Sequence, residues 1–208
     1  MLSAQALVEL QDQRTRDWHR PEAAQSVDKE NLNDWLMRVA KQHRANFDLW
    51  HIEDEARALG ASDAKLADVK RRIDATNQRR NDLAEQLDRF LLSWLEERQL
   101  PNQAADLHSE SPGLMIDRLS ILALKIFHTR QEAERTGAPD GHAARNRDRL
   151  AILEEQRADL AACLDALWQQ TLAGARRFKL YRQLKMYNDP LLNPSNYRSP
   201  AQAKSSGR

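Results

Sequence analysis

The stretch LADVKRRIDATNQRRNDLAEQLDRFLLSW, residues 66–94, decides the fold. Its apolar residues Leu66, Val69, Ile73, Leu83, Leu87, Phe90 and Trp94 recur every three or four positions, the spacing of an amphipathic helix. Between Ile73 and Leu83 the stripe positions are Thr76 and Arg80, and neither Gly nor Pro interrupts the run. A helix continued through this gap carries about 15 Å of polar surface where its core-facing side belongs. The gap predicts a polar site at mid-height in a helical bundle, without naming a reaction.

Outward from this helix, Gly and Pro punctuate a chain of 208 residues. A first helix is expected from Ser3 to about Trp18, ending before Pro21. A second starts near Asp28 or Lys29 and closes at Gly60, a residue suited to a left-handed cap. Ser62 caps the third, which runs to about Gln99 before Pro101. Ser111-Pro112-Gly113 opens the fourth, with proline at the first helical position, and it reaches about Arg135. After the loop Gly137–Gly141 a last helix runs from about Ala143 to Tyr187, with Gly174 a point of bending or breaking. The expected fold is all-α, an antiparallel helical bundle of four to six helices with long central helices. Residues 1–28 read as an N-terminal helix and linker, 29–194 as the bundle domain and 195–208 as a disordered tail.

Charged residues make up 30% of the chain and aromatics 6%, a balance that favours helices. Lysine plus arginine number 32 against 31 acids, so no global field draws in nucleic acid or an anionic membrane. No apolar run approaches a membrane span, and membrane insertion is not expected. The single cysteine, Cys163, fits a reducing compartment and reads as a small buried hydrophobe among Leu160, Leu164 and Leu167. The expected location is cytoplasmic.

Polar residues occupy apolar faces on other helices too. The second helix runs Leu32, Leu36, Val39, His43, Phe47, Trp50, Asp54, which puts His43 and Asp54 in the seam with Asn46 and Glu53 beside them. On the fourth, Asp117, Arg118, Lys125 and His128 fall within one arc of about 100°. On the last, Arg157 stands in the stripe with Gln156 adjacent. Buried charges require partners, which leaves two readings open. One is a pocket lined by Asn77, Arg80, Arg118, Lys125 and Arg157 and balanced by Asp54, Asp74 and Asp117, its guanidinium groups suited to phosphate or carboxylate. The other is a set of solvated arcs or a structural ion-pair network. In the first, Arg80 points into the bundle toward Asp54 or Asp117, and Arg80, Arg118 and Arg157 converge.

The chain contains no Walker loop, dinucleotide fingerprint, His-Glu-x-x-His or Glu-x-x-His, and no metal centre is expected. Glu85 with Asp88, and Glu53-Asp54-Glu55, are acidic pairs of the kind that hold magnesium in helical pyrophosphohydrolases, though such pairs are common on solvated helices. The basic, aromatic-interleaved segment Arg176–Tyr187 either covers the pocket, contacts an anionic polymer or is a solvated helix end.

Five separated motifs carry a resemblance. They are Leu49-Trp50-His51 with Glu53-Asp54; Ile73-Asp74 with Asn77-Gln78 and Arg80-Asn81-Asp82; and Glu110-Ser-Pro112-Gly113 leading into Ile116–Leu122. Glu155-Gln156-Arg157 with Asp159-Leu160, and Tyr181-Arg182-Gln183 with Lys185–Pro190, complete the set. Over about Asn31–Pro194 the chain resembles the bacterial domain-of-unknown-function family numbered forty-two fifty-four. It departs from the pattern at Ser111, where threonine is expected, and at Leu184, where phenylalanine is. The resemblance implies a helical fold and a setting in lipopolysaccharide or other surface-polysaccharide biosynthesis beside glycosyltransferases. It implies no established activity or cofactor.

The leading expectation is a protein that binds a small anionic ligand, a sugar phosphate or nucleotide sugar. Arg80, Arg118 and Arg157 would grip phosphate, Asn77 and Asn81 would meet hydroxyls, and Trp50 would stack on a sugar or base. Asp54, Asp74, Asp117, Lys125 and Gln156 complete the ligand-binding set. His43, Asn46, Glu53, Tyr181, Lys185, Tyr187, Asn188 and Asp189 stand behind or around it. A non-catalytic partner or scaffold of a glycosyltransferase is the alternative, motivated by five tryptophans and the lack of a catalytic motif. A magnesium-dependent nucleotide hydrolase is the third. Whether the chain is an enzyme, and whether it forms a homodimer, stays open at this stage.

Overall fold

The computed structural model describes residues 2–20, 32–184 and 191–192. It comprises five helices: α1 (Ala4–Trp18), α2 (Asp34–Ala56), α3 (Asp63–Glu96), α4 (Pro112–Glu134) and α5 (His142–Leu172). Two short strands, β1 (Asp106–Leu107) and β2 (Arg176–Arg177), pair in parallel, Asp106 opposite Arg176 and Leu107 opposite Arg177. The all-α bundle is as expected.

Polar side chains set several helix ends. Ser3 accepts from the Ala6 amide, Asn33 from Leu36 and Ser62 from Lys65, each at the start of its helix. The cap at Asn33 starts α2 later than Asp28 or Lys29, which lie outside the described residues. α2 closes at Ala56, and Gly60 forms the following turn with φ +78°. α5 does not continue to Tyr187. It stops at Leu172, and Gly174, at φ +69°, turns the chain out of the helix. The Ala175 amide returns to the Gln170 carbonyl and that of Gly174 to Thr171, a Schellman closure.

α4 is the central helix, packed against each of the other four. Its Met115, Ile116, Leu119, Leu124 and Ile126 are fully buried. Around them gather Leu7 and Leu10 of α1, Trp35 and Val39 of α2, Leu87, Leu91 and Leu95 of α3, and Leu160, Leu164, Leu167 and Trp168 of α5. Over its first five turns α3 buries Val69 alone. Part of the polar gap therefore faces water, because that half of the helix reaches beyond the core. From Asn81 onward the buried face is Asn81, Ala84, Leu87, Asp88, Leu91 and Leu95.

α3 and α4 approach so closely at Gly113 that a Cβ there would lie 2.4 Å from the Ala84 carbonyl oxygen. Ser111 does not cap α4 with its own side chain. The Asp88 carboxylate of α3 takes that place, accepting from the Gly113 amide at 2.6 Å and the Ser111 hydroxyl at 2.5 Å. Burial pushes the Asp88 carboxyl up to about 6, against the opposing pull of those two donors.

Candidate functional site

A cavity of about 340 Å³ opens between α2, α3 and α4. Its walls are Leu49 and Trp50 of α2 and Ile121 and Leu124 of α4; its polar groups are Asn46, Glu53, Asp54, Arg57 and Arg80. Positions 46, 49, 50, 53 and 57 recur every three or four residues, so one face of α2 lines the hollow. Arg80 enters from α3. Its Nε lies 3.7 Å from Asp117 Oδ1, and its Nη2 donates to Asn81 Oδ1 at 3.4 Å. Arg80 Nε and Asn81 Nδ2 are both buried without a hydrogen-bond partner.

Behind Arg80 a polar ladder crosses the bundle interior. Asp117 Oδ1 accepts from Gln42 at 2.6 Å and from Asn46 at 2.9 Å. Asn46 also donates to Ser120, whose hydroxyl lies 2.7 Å from His43 Nδ1. His43 Nε2 is 2.9 Å from the Thr15 hydroxyl, which spends its one proton on the Gln11 carbonyl. Thr15 must therefore accept from His43, which fixes the proton on Nε2 and makes Nδ1 the acceptor from Ser120. His43 is wholly buried, and desolvation holds its pKa down at about 3, so the ladder is neutral at its centre. Asp117 is raised by burial, opposed by Arg80, Asn46 and Gln42.

The structure distributes the expected site residues over separate places. Trp50, Asp54 and Arg80, with Asn46 and Glu53, line the cavity, and Asp117 lies directly beneath it. Arg118, Lys125 and Gln156 line a different hollow of about 700 Å³ between α4 and α5. There Arg118 is exposed and held bidentately by Glu110 at 2.9 and 3.0 Å. Arg157 is gripped bidentately by Asp12 of α1 at 2.7 and 2.9 Å. The three arginines do not converge, since each is neutralised by its own acid on a different pair of elements. Asp74 pairs with Lys70 one turn earlier, and Asn77 is half-buried. Tyr181 is exposed. Lys185, Tyr187, Asn188 and Asp189 lie outside the described residues, as does the tail at 195–208.

One further expectation is corrected. Cys163 is exposed. The inward stripe of α5 is Leu160, Leu164, Leu167 and Trp168, and Cys163 falls beside it on the wall of the α4–α5 hollow. Of Glu53, Asp54, Glu55, Glu85 and Asp88, all but Asp54, which lines the cavity, have partners of their own. Asp88 has both oxygens on the start of α4, and Glu85 holds Arg89 and the Gln183 amide. Glu53 pairs with Arg57, and Glu55 holds Arg72 with both oxygens.

Sequence inspection missed a cluster of histidines. His19, His51 and His128, from the end of α1, from α2 and from α4, each bring a ring nitrogen within 4.8 Å of the other two. His128 stacks flat on Trp50, centroids 4.7 Å apart at 3°, so the cluster adjoins the cavity wall. These are the residues that could hold a metal. Their separations of 32 and 77 positions match no local motif.

The fold and site define an all-α bundle with a lined interhelical cavity beside a histidine cluster. The family described as "Protein of unknown function (DUF4254)" matches residues 36–180, more than half of the chain. The chain belongs to that family. No curated protein and no solved structure matches it. No helix among the described residues is long and apolar enough to cross a membrane.

Proposed function

We propose that the cavity between α2, α3 and α4 binds a small anionic ligand with hydroxyl groups, a sugar phosphate or nucleotide sugar, in the cytoplasmic stages of surface-glycan biosynthesis. The observation that carries this reading is the state of Arg80. Its guanidinium borders a hollow of a size for a sugar phosphate, or for the sugar-phosphate end of a nucleotide sugar, yet Nε is buried with no hydrogen-bond acceptor and Asp117 stands at 3.7 Å. Buried N–H groups left unpaired are costly, and an anionic oxygen in the hollow would give the Arg80 guanidinium the acceptor it lacks. Asp54 on the rim can accept from hydroxyls, and the apolar face of Trp50 suits a sugar ring. The glycan setting rests on the family resemblance alone.

The cavity is favoured over the α4–α5 hollow because Arg118 there is already satisfied by Glu110 and open to water. A scaffold for a glycosyltransferase draws less support from the tryptophans, of which Trp35 and Trp168 are buried and Trp18 is half-buried against His43. A thermal-shift screen of the full chain against nucleotide sugars, sugar phosphates and inorganic phosphate tests the proposal. Stabilisation by at least one phosphorylated sugar, lost in Arg80→Ala, is expected. No shift with any of them at millimolar concentration contradicts it.

A further inference from the structure

We propose that His19, His51 and His128 form a binding site for a divalent transition-metal ion, with zinc the best fit. Three helices bring them together: His19 is the C-cap of α1, His51 lies in the last turns of α2, and His128 lies past the middle of α4. One ring nitrogen from each is within 4.8 Å of the others. Tetrahedral zinc with Zn–N bonds of about 2.0–2.1 Å needs its nitrogens about 3.3 Å apart, so the widest pair has to close by about 1.5 Å, within reach of small side-chain rotations.

Outer contacts already prepare the ligating atoms. His19 Nδ1 donates to the Thr15 carbonyl at 2.6 Å, and His51 Nδ1 donates to the Phe47 carbonyl at 2.8 Å. Each bond fixes the proton on Nδ1 and leaves the Nε2 lone pair free for a metal, the arrangement that backbone carbonyls impose on metal-bound histidines. Nε2 of His19 and Nε2 of His128 are both buried without a hydrogen-bond partner. His19 and His51 each leave Nε2 as an acceptor, and one cation would satisfy these two together with His128.

The surroundings hold the rings in place. His19 stacks on Phe127 at 4.3 Å, His51 packs on Phe47 at 4.3 Å and His128 lies flat on Trp50. An all-imidazole set suits zinc and its late first-row neighbours and disfavours magnesium or calcium, which take oxygen ligands. Three protein ligands leave a fourth position for water or a bound anion. The competing explanation is that the cluster is aromatic packing alone.

The test uses tag-free full-length protein freed of metal with a chelator, then titrated with zinc chloride against a chromophoric chelator. One equivalent is expected to bind, with affinity falling at least tenfold in His19→Asn, His51→Asn and His128→Gln and unchanged in His142→Asn. Circular dichroism checks that each variant folds. X-ray absorption of the zinc-loaded wild type decides without variants, and a nitrogen shell with imidazole scattering is expected. Absence of stoichiometric binding at micromolar zinc, binding indifferent to the three substitutions, or a shell dominated by oxygen would overturn the proposal. Because the readout is the metal itself, its failure leaves the anion-binding proposal standing, and the reverse holds too.

Discussion

His43 is wholly buried with both ring nitrogens engaged, and protonation would turn the nitrogen that accepts from Ser120 into a donor. Its pKa of about 3 in the fold lies far below the usual 6.5. A histidine held neutral contributes stability that is fully present above pH 6.5 and is lost as pH falls toward 3, at about 1.4 kcal/mol per pH unit. Urea unfolding at pH 7 and pH 5 should show a loss in the wild type that is smaller by about 2 kcal/mol in His43→Gln. Asp117 shifts the other way, raised by burial and restrained by Arg80. Arg80→Ala strands that carboxylate and should cost about 1–2 kcal/mol at pH 7. The cost should shrink at acid pH, since a carboxyl with a raised pKa takes up a proton earlier than an ordinary one and then no longer needs the arginine. An equal penalty at neutral and acid pH would show that Asp117 does not depend on Arg80.

The joint between α3 and α4 depends on two residues whose roles were hidden in the sequence. Ser111-Pro112 marks the start of α4 correctly, yet the capping oxygens come from Asp88, twenty-odd residues earlier, because α3 lies against that end. Asp88→Ala removes two buried hydrogen bonds and should cost about 2 kcal/mol in chemical denaturation; Asp88→Asn, which keeps an acceptor, should recover most of it. The Asp88 carboxyl, raised to about 6, costs stability as pH climbs from about 4 to 6, and Asp88→Asn should flatten that slope. Gly113→Ala forces a Cβ to 2.4 Å from the Ala84 carbonyl, so the helices must part at a cost of about 1–3 kcal/mol, readable as a lower Tm. Local signals such as Ser3, Ser62 and Pro112 are self-contained, which is why they were legible. At Gly174 the sequence leaves a bend and a break both open, because glycine permits either; in the fold its positive φ and the Schellman bonds end the helix there, and β2 then pairs with β1.

Across the whole molecule, helical periodicity found which residues are polar on inward faces but not which of them meet. Arg80 and Arg157 both stand in apolar stripes, and the partner of Arg157 is Asp12 of α1, a helix far away in the sequence. The arc on α4 divides in the fold. Asp117 turns into the polar ladder, Arg118 and Lys125 face the α4–α5 hollow, and His128 joins two histidines from other helices. Long-range convergence of this kind is set by interhelical packing, which a single sequence does not print. The family match over residues 36–180 takes in Trp50, Asp54, Arg80 and Asp117, and leaves out His19. The central claim, that the α2–α3–α4 cavity is an anion site built on Arg80, is tested most directly by calorimetric titration of wild type and Arg80→Ala with nucleotide sugars and sugar phosphates. The account predicts one ligand per chain for the wild type and affinity at least tenfold weaker, about 1.4 kcal/mol, in the variant. Binding of equal strength by both proteins, or none by the wild type up to millimolar ligand, would contradict it.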